Sequence, residues 1–336
     1  MRGLAPDHRA RVDPVPPGVE RPRWSVMIPT HNSTGFLRQT LESVLSQDQG
    51  PERMQIEVVD DASEDDPVWI VRELGAERIG FHRQETNVGH TRNFETCLRR
   101  SRGELVHLLH GDDAVRPGFY RRLEGPFVRD ESLGAAFCRY IGIDAAGHWQ
   151  TVSELLRAES GVLDQWLERI ALGQALQTPS IVVRREVYER LGGFDRRLSW
   201  TEDWEMWVRI AADYPVWYEV EPLALYRVHS ESNTGTLVRR GETIRDARLA
   251  IKLNAEHLPP ERREALGREA RAILASTALR RARRLLHHHE TRGALAHTVE
   301  ALRTRPTPRV LLGAGFVASL WVRNAVRRLL RTRSRT

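Results

Sequence analysis

Three groups of acidic residues in this chain have the types and spacing to act on a charged ligand. Asp60-Asp61 closes the apolar run QIEVV (55–59), and Asp112-Asp113 follows ELVHLLH (104–110) and Gly111. Short apolar runs of this kind read as buried strands. In an α/β sheet, ligands bind beyond the carboxyl ends of the strands, so both pairs project into one crevice. Adjacent carboxylates repel each other unless a cation or hydrogen-bond donors compensate. Taken alone, Asp60-Asp61 reads first as a solvated turn. Two pairs at neighbouring strand mouths point instead to a site for a metal and a nucleotide. A hard divalent cation such as Mg²⁺ takes one or two protein carboxylates plus substrate phosphates, and Asp112-Asp113 meets that need. The third group is Thr201-Glu202-Asp203-Trp204. Ser199 and Glu202 have capping-box spacing, which makes these acids a helix start. The same segment is flanked by Trp200, Trp204 and Trp207, and a carboxylate among aromatic rings resembles a sugar site as much as a core.

The elements that must position these acids follow from periodicity. WSVMIP (24–29) reads as a strand, and Leu37, Leu41, Val44 and Leu45 share one helical face. After strand 55–59 come a helix near 66–74, a weaker strand at 78–83, a helix near 90–100 and the strand 104–110. This β-α-β-α order predicts an α/β fold with a mostly parallel sheet flanked by helices. Further on, a strand is expected at 135–143, a turn at 144–149, a helix through Leu163, Trp166, Leu167 and Ile170, and a strand at 180–184. A turn at Gly192-Gly193, a helix at 202–213 and two short strands around Pro222 complete this part. From about residue 241 the pattern is helical and rich in arginine. The expected organisation is a flexible arm (1–23), a catalytic domain (24–236, with nucleotide part 24–115 and acceptor part 116–236) and a basic helical region (237–336).

Composition narrows the class. The 336 residues include 51 Lys+Arg, 45 Asp+Glu and 40% hydrophobic residues, which excludes a mainly disordered chain. Cys97 and Cys138 cannot build a disulfide framework or a four-cysteine zinc site, and suit buried thiols in a reducing compartment. Cys97 lies on an apolar helix face beside Phe94 and Leu98, a packing position. His287, His288 and His289 point in different directions on a helix and form no ligand face. Charge is asymmetric: residues 1–236 have net charge −9 and residues 237–336 have +15. The apolar stretch 310–322 is too short to span a bilayer. Flanked by Arg309 and Arg323, with five further arginines up to Arg335, it suits either packing on the domain or contact with an anionic membrane surface. Charge alone does not support nucleic-acid binding, because the aromatics are not interleaved with the arginines. The expected location is cytoplasmic, and on the second of these two readings peripheral at the inner face of the cell membrane through 309–335.

The order of motifs resembles the family 2 glycosyltransferases, inverting enzymes of the GT-A fold. They are WSVMIPTHN (24–32), SVLSQ (43–47), VVDDASEDD (58–66), NVGHTRNF (87–94), LLHGDDAV (108–115), LGGFD (191–195), TEDWEMWVRI (201–210) and LYRVH (225–229). The resemblance covers roughly residues 24–230. It implies a nucleoside-diphosphate-sugar donor, with UDP favoured and thymidine and guanosine nucleotides left open, and a hydroxyl acceptor, lipid-linked or polymeric, in cell-surface polysaccharide or glycolipid synthesis. It implies that Pro29, Thr30, Asp61 and Arg92 hold the nucleotide. Asp112 would face the ribose, while Asp113 would ligate Mg²⁺ or Mn²⁺, with His229 near the metal. His110 stands where the family's metal motif begins with an acid, and Ala62 where its turn more often has glycine. Asp203 would be the base, kept ionised at a helix N-terminus, and Glu202 would organise the site. Gly193 and Trp204 would lie on the acceptor side. The alternative is a transferase-like domain that binds nucleotide sugar or glycan without catalysis.

Overall fold

The structure is a computed structural model that describes residues 8–75, 77–229 and 241–333, the last ten by backbone alone. The chain divides into two compact units: Met1–Ile170, Gln174–Arg197 and Glu202–Val228 form the first, and Ala171–Gly173, Leu198–Thr201 and His229–Thr336 the second. The boundary expected near 236 lies outside the described residues.

In the first unit the alternating pattern becomes β1 (Trp24–Thr30), α1 (Thr34–Leu45), β2 (Met54–Asp60), α2 (Val68–Gly75), β3 (Gly80–Arg83), α3 (His90–Arg100) and β4 (Leu105–Leu108). Strand β1 is buried along its whole length, as a strand covered on both faces must be. It pairs in parallel with β2 and β4, and β2 pairs in parallel with β3. Trp24, Val26, Ile28, Leu37, Leu41 and Val58 form the core beneath the site.

Beyond β4 the sheet is mixed rather than parallel. Later elements are β5 (Ala114–Val115), α4 (Phe119–Arg129), β6 (Ala135–Ile143), β7 (Trp149–Val152), β8 (Gly161–Val162), α5 (Trp166–Leu172), β9 (Ile181–Arg184), α6 (Arg185–Leu191), α7 (Glu202–Asp213) and β10 (Val216–Arg227). The sheet order is β3-β2-β1-β4-β9-β6-β10-β5, with β9 antiparallel to both β4 and β6. Residues 216–227 form one strand, not two. Pro222 offers no N–H to the ladder, and register shifts on either side of it absorb the break. Strand β10 thereby reaches β5 and ends beside the Asp112-Asp113 loop.

Residues 1–7 of the expected arm lie outside the described residues. Residues 8–13 are not loose. Ala10 and Val12 are buried, Arg9 forms a β-bridge with Asp195, and its guanidinium reaches Glu205 at 2.8 Å.

The second unit contains α8 (Glu242–Asn254), α9 (Pro260–His287), α10 (Thr291–Thr304) and α11 (Pro308–Arg333). Small alanines, including Ala275, Ala278, Ala282, Ala294 and Ala301, let these helices approach closely around Ile244, Leu279 and Leu286. Among the described residues no helix is long and apolar enough to cross a membrane.

Candidate active site

The ends of β1 and β2 are tied together before any ligand is considered. The Asp61 N–H donates to the Thr30 carbonyl at 2.9 Å, and the Gly111 N–H donates to the Pro29 carbonyl at 3.0 Å. Asp60 is buried and pairs with Arg83 at 2.6 Å, so it serves the turn. The Asp61 carboxylate accepts the N–H groups of Val88 and Gly89 at 2.7 and 3.0 Å, which holds the 87–89 loop over the strand ends. Each of its oxygens keeps a second lone pair for a further donor. Arg92 is exposed on the first turn of α3. Ala62 adopts φ +52°, the left-handed conformation that glycine favours, so the turn keeps its shape despite the side chain. Gly111 meets a different demand. A Cβ there would lie 2.7 Å from Thr30 Oγ1 and 3.0 Å from Ser33 Oγ, so only glycine lets the two loops approach.

Arg227, at the end of β10, fixes the acidic loop. Its N–H donates to Asp113 Oδ1 at 2.8 Å, and its guanidinium donates to the carbonyls of Asp112 at 2.7 Å and Asp144 at 2.9 Å. Thr40 Oγ1 donates to the Asp113 carbonyl at 2.7 Å. Asp113 is 1% exposed, and its Oδ2 is buried with no hydrogen-bond partner. Burial, and then the charge of Asp112, push its pKa well above the usual carboxylate range. His110 Nδ1 lies 3.6 Å from this oxygen. Donor atoms of His110, Asp112 and Asp113 all lie within 4.8 Å of one another. An unpartnered buried carboxylate oxygen beside a second carboxylate and an imidazole fits a divalent cation.

Asp203 sits at the start of α7, 8% exposed. Its Oδ2 accepts from Gln174 at 2.6 Å and Thr178 at 3.2 Å, and its Oδ1 from the Trp204 N–H at 2.7 Å. Those bonds do not keep it ionised as expected from a helix N-terminus. Burial, and then the neighbouring Glu202 charge, raise its pKa to about 7. The expected capping box is absent too: the Ser199 side chain bonds Asp246, as does the Thr201 side chain. Glu202 is held by His90 at 3.1 Å.

Two residues expected on the acceptor side belong to the interior. Trp204 is buried, with its indole N–H donating to the Ile170 carbonyl at 2.6 Å. The Gly193 N–H donates to the Ala10 carbonyl at 2.8 Å, and its own carbonyl accepts from the buried Arg209. His229 opens the second unit.

Ring contacts connect the two acid groups: His90, which holds Glu202, meets Phe94 edge-on at 5.7 Å, and Phe94 in turn stacks on His110. The Tyr226 hydroxyl is held un-ionised by burial and then by the charges of Asp113, Asp112 and Asp203 together. His110 is kept neutral first by burial and feels both Asp112 and Glu202; it stacks on Phe94 at 5.1 Å. Arg227 and Tyr226 lie inside LYRVH and His90 inside NVGHTRNF, whereas isolated polar residues such as Gln174 and Thr178 carry no sequence signal.

A sequence profile described as glycosyl transferase family 2 matches residues 25–192, half of the chain. The chain belongs to glycosyl transferase family 2. It is a glycosyltransferase with a GT-A fold. The transferase is 28% identical over 237 residues to an uncharacterized protein of Mycobacterium tuberculosis, covering 67% of this chain and 73% of that one. It is 26% identical over 227 residues to an uncharacterized glycosyltransferase of Rickettsia typhi, covering 66% and 69%. Among solved structures it is similar to S. aureus TarS 1–349, with TM-score 0.56 and 16% identity over 85% of this chain and 92% of that one. It is also similar to a mannosyltransferase of Pyrobaculum calidifontis in complex with GDP-Man and Mn²⁺, with TM-score 0.53 and 20% identity over 95% and 84%.

Proposed function

We propose that this transferase moves a sugar from a nucleoside diphosphate to a hydroxyl acceptor, with inversion at the anomeric carbon. The observation that supports it is the pairing of a buried, unpartnered Asp113 oxygen with an Asp203 of pKa about 7, both acting on the same tyrosine. Asp203 Oδ2 is occupied by two donors and Oδ1 by one, so Oδ1 has room for the acceptor's proton. As that proton moves to Asp203, the acceptor oxygen bonds the anomeric carbon from the face opposite the diphosphate. The bond to the diphosphate breaks and its electron pair leaves with the nucleotide. A base with pKa near neutrality is matched to this task. Asp113 and Asp112, with His110 beside them, would hold Mg²⁺ or Mn²⁺. Such an ion would supply Lewis-acid neutralisation of charge on the leaving diphosphate.

The donor reading rests on Pro29, Thr30 and Asp61 at the strand ends and Arg92 on the first turn of α3. Asp61 suits the ring N–H of a uracil. TarS has been solved with UDP-GlcNAc and the mannosyltransferase with GDP-Man and Mn²⁺, which supports a nucleotide-sugar donor and a metal for this chain. The acceptor we favour is lipid-linked or polymeric, in surface polysaccharide or glycolipid synthesis. The buried free thiols Cys97 and Cys138 support a reducing, cytoplasmic setting. The test is transfer and nucleotide binding by Asp203→Asn with Mn²⁺ present. Loss of transfer with binding retained supports the reading, and normal turnover removes Asp203 as base.

A further inference from the structure

Helix α11 has six arginines and no acidic residue, and its residues 310–322 carry no charge. Val310 and Val317 are buried in the core of the second unit. The opposite face is exposed, with the Arg283 guanidinium stacked over the Phe316 ring at 4.7 Å. Leu311, Gly315, Ala318 and Val322 recur at i, i+4, i+7 and i+11, with Leu312, Phe316 and Ser319 alongside, so all lie on one side of the helix. Every one of them is exposed. Leu312 is 77% exposed, and Leu311, Phe316 and Val322 are 50–54% exposed. Large apolar side chains open over three successive turns form a patch that marks an interaction surface. Arg309 and Arg323 bracket it, and Arg327, Arg328, Arg331 and Arg333 follow in the sequence.

We propose that this face lies on an anionic lipid surface, with its leucines and Phe316 in the headgroup boundary and its arginines against lipid phosphates. Charge selects the occupant. A second copy would bring the same acid-free, arginine-bearing helix against itself. A nucleic-acid duplex would satisfy the arginines but offers no apolar surface to Leu311, Leu312 and Phe316. The helix is not apolar over a long enough span to cross the bilayer, so the contact lies in the plane of the interface. This inference is independent of the donor and of the base.

The test is co-sedimentation of the full chain with vesicles of phosphatidylglycerol and phosphatidylcholine, and with vesicles of phosphatidylcholine alone. Binding to the anionic vesicles should be at least tenfold stronger and should weaken with added salt. The double variant Leu312→Glu/Phe316→Glu should lose at least tenfold in partitioning while melting like the parent. Arg323→Gln/Arg327→Gln should weaken binding to anionic vesicles only. The proposal fails if the full chain ignores anionic vesicles or if the double variant binds as the parent does. It fails equally if light scattering shows a dimer that the double variant dissociates, which would assign the face to a second copy. Tighter binding to duplex RNA than to vesicles would also overturn it.

Discussion

Replacing Asp203 by asparagine tests both chemistry and electrostatics, because the same burial governs each. Removal of a general base costs about 10²–10⁴-fold in rate. In the parent, Asp203 acts as base only when ionised, and burial with Glu202 beside it raises its pKa from 3.8 to about 7. kcat/KM should therefore rise with pH and level off above about 7. At pH 5 only about 1% of the base is ionised, so activity should be about a hundredfold lower. Because Glu202 and Asp203 interact, the inflection belongs to the pair. The stability sign follows from the same shift. A carboxyl whose pKa is raised on folding favours the native state at low pH, and this support is lost as pH rises from about 4 through 7. At 1.36 kcal/mol per unit, ionised Asp203 costs the fold about 4 kcal/mol above pH 7. The asparagine variant escapes this cost, so its melting temperature should gain on the parent as pH is raised from 5 to 8. Initial rates and thermal melts across that range are the assay. A pH-independent kcat/KM, together with an active asparagine variant, would refute the reasoning.

Asp113→Asn removes a buried carboxylate oxygen that has no hydrogen-bond partner, so metal-free protein should melt at a higher temperature while the stabilisation by Mn²⁺ with nucleotide disappears; scanning fluorimetry with and without Mn²⁺ reads both. Gly111→Ala forces a Cβ to within 2.7 Å of Thr30 Oγ1, and should cost about 1–3 kcal/mol in chemical denaturation and weaken nucleotide binding. Ala62→Gly frees a left-handed residue and should add up to about 1 kcal/mol in the same assay, whereas Ala62→Val should destabilise.

Much of the parallel half of the fold was legible because its signals are local. β1 and β2 are short apolar runs, α1 and α3 have single apolar faces, and both acid pairs follow strands in the chain. What escaped depends on distant partners. Pro222 suggested a break that β10 bridges with register shifts. The Ser199 capping signal was overridden by Asp246, far along the chain. Trp204 looked available to a sugar until its indole N–H found the Ile170 carbonyl. Spacing shows that Asp203 starts a helix but not the burial that raises its pKa. Arg227 drew no attention as one arginine among many, yet it holds the Asp112-Asp113 loop through backbone groups that no motif displays.

The proposed mechanism puts a cation on Asp113 and a base at Asp203 in one pocket, and anomalous diffraction from crystals grown with Mn²⁺ and UDP tests that arrangement. The expected result is a manganese peak within coordinating distance of Asp113 Oδ2, with Asp203 opening onto the same cavity. A peak elsewhere on the molecule, or Asp203 walled off from the diphosphate, would contradict it.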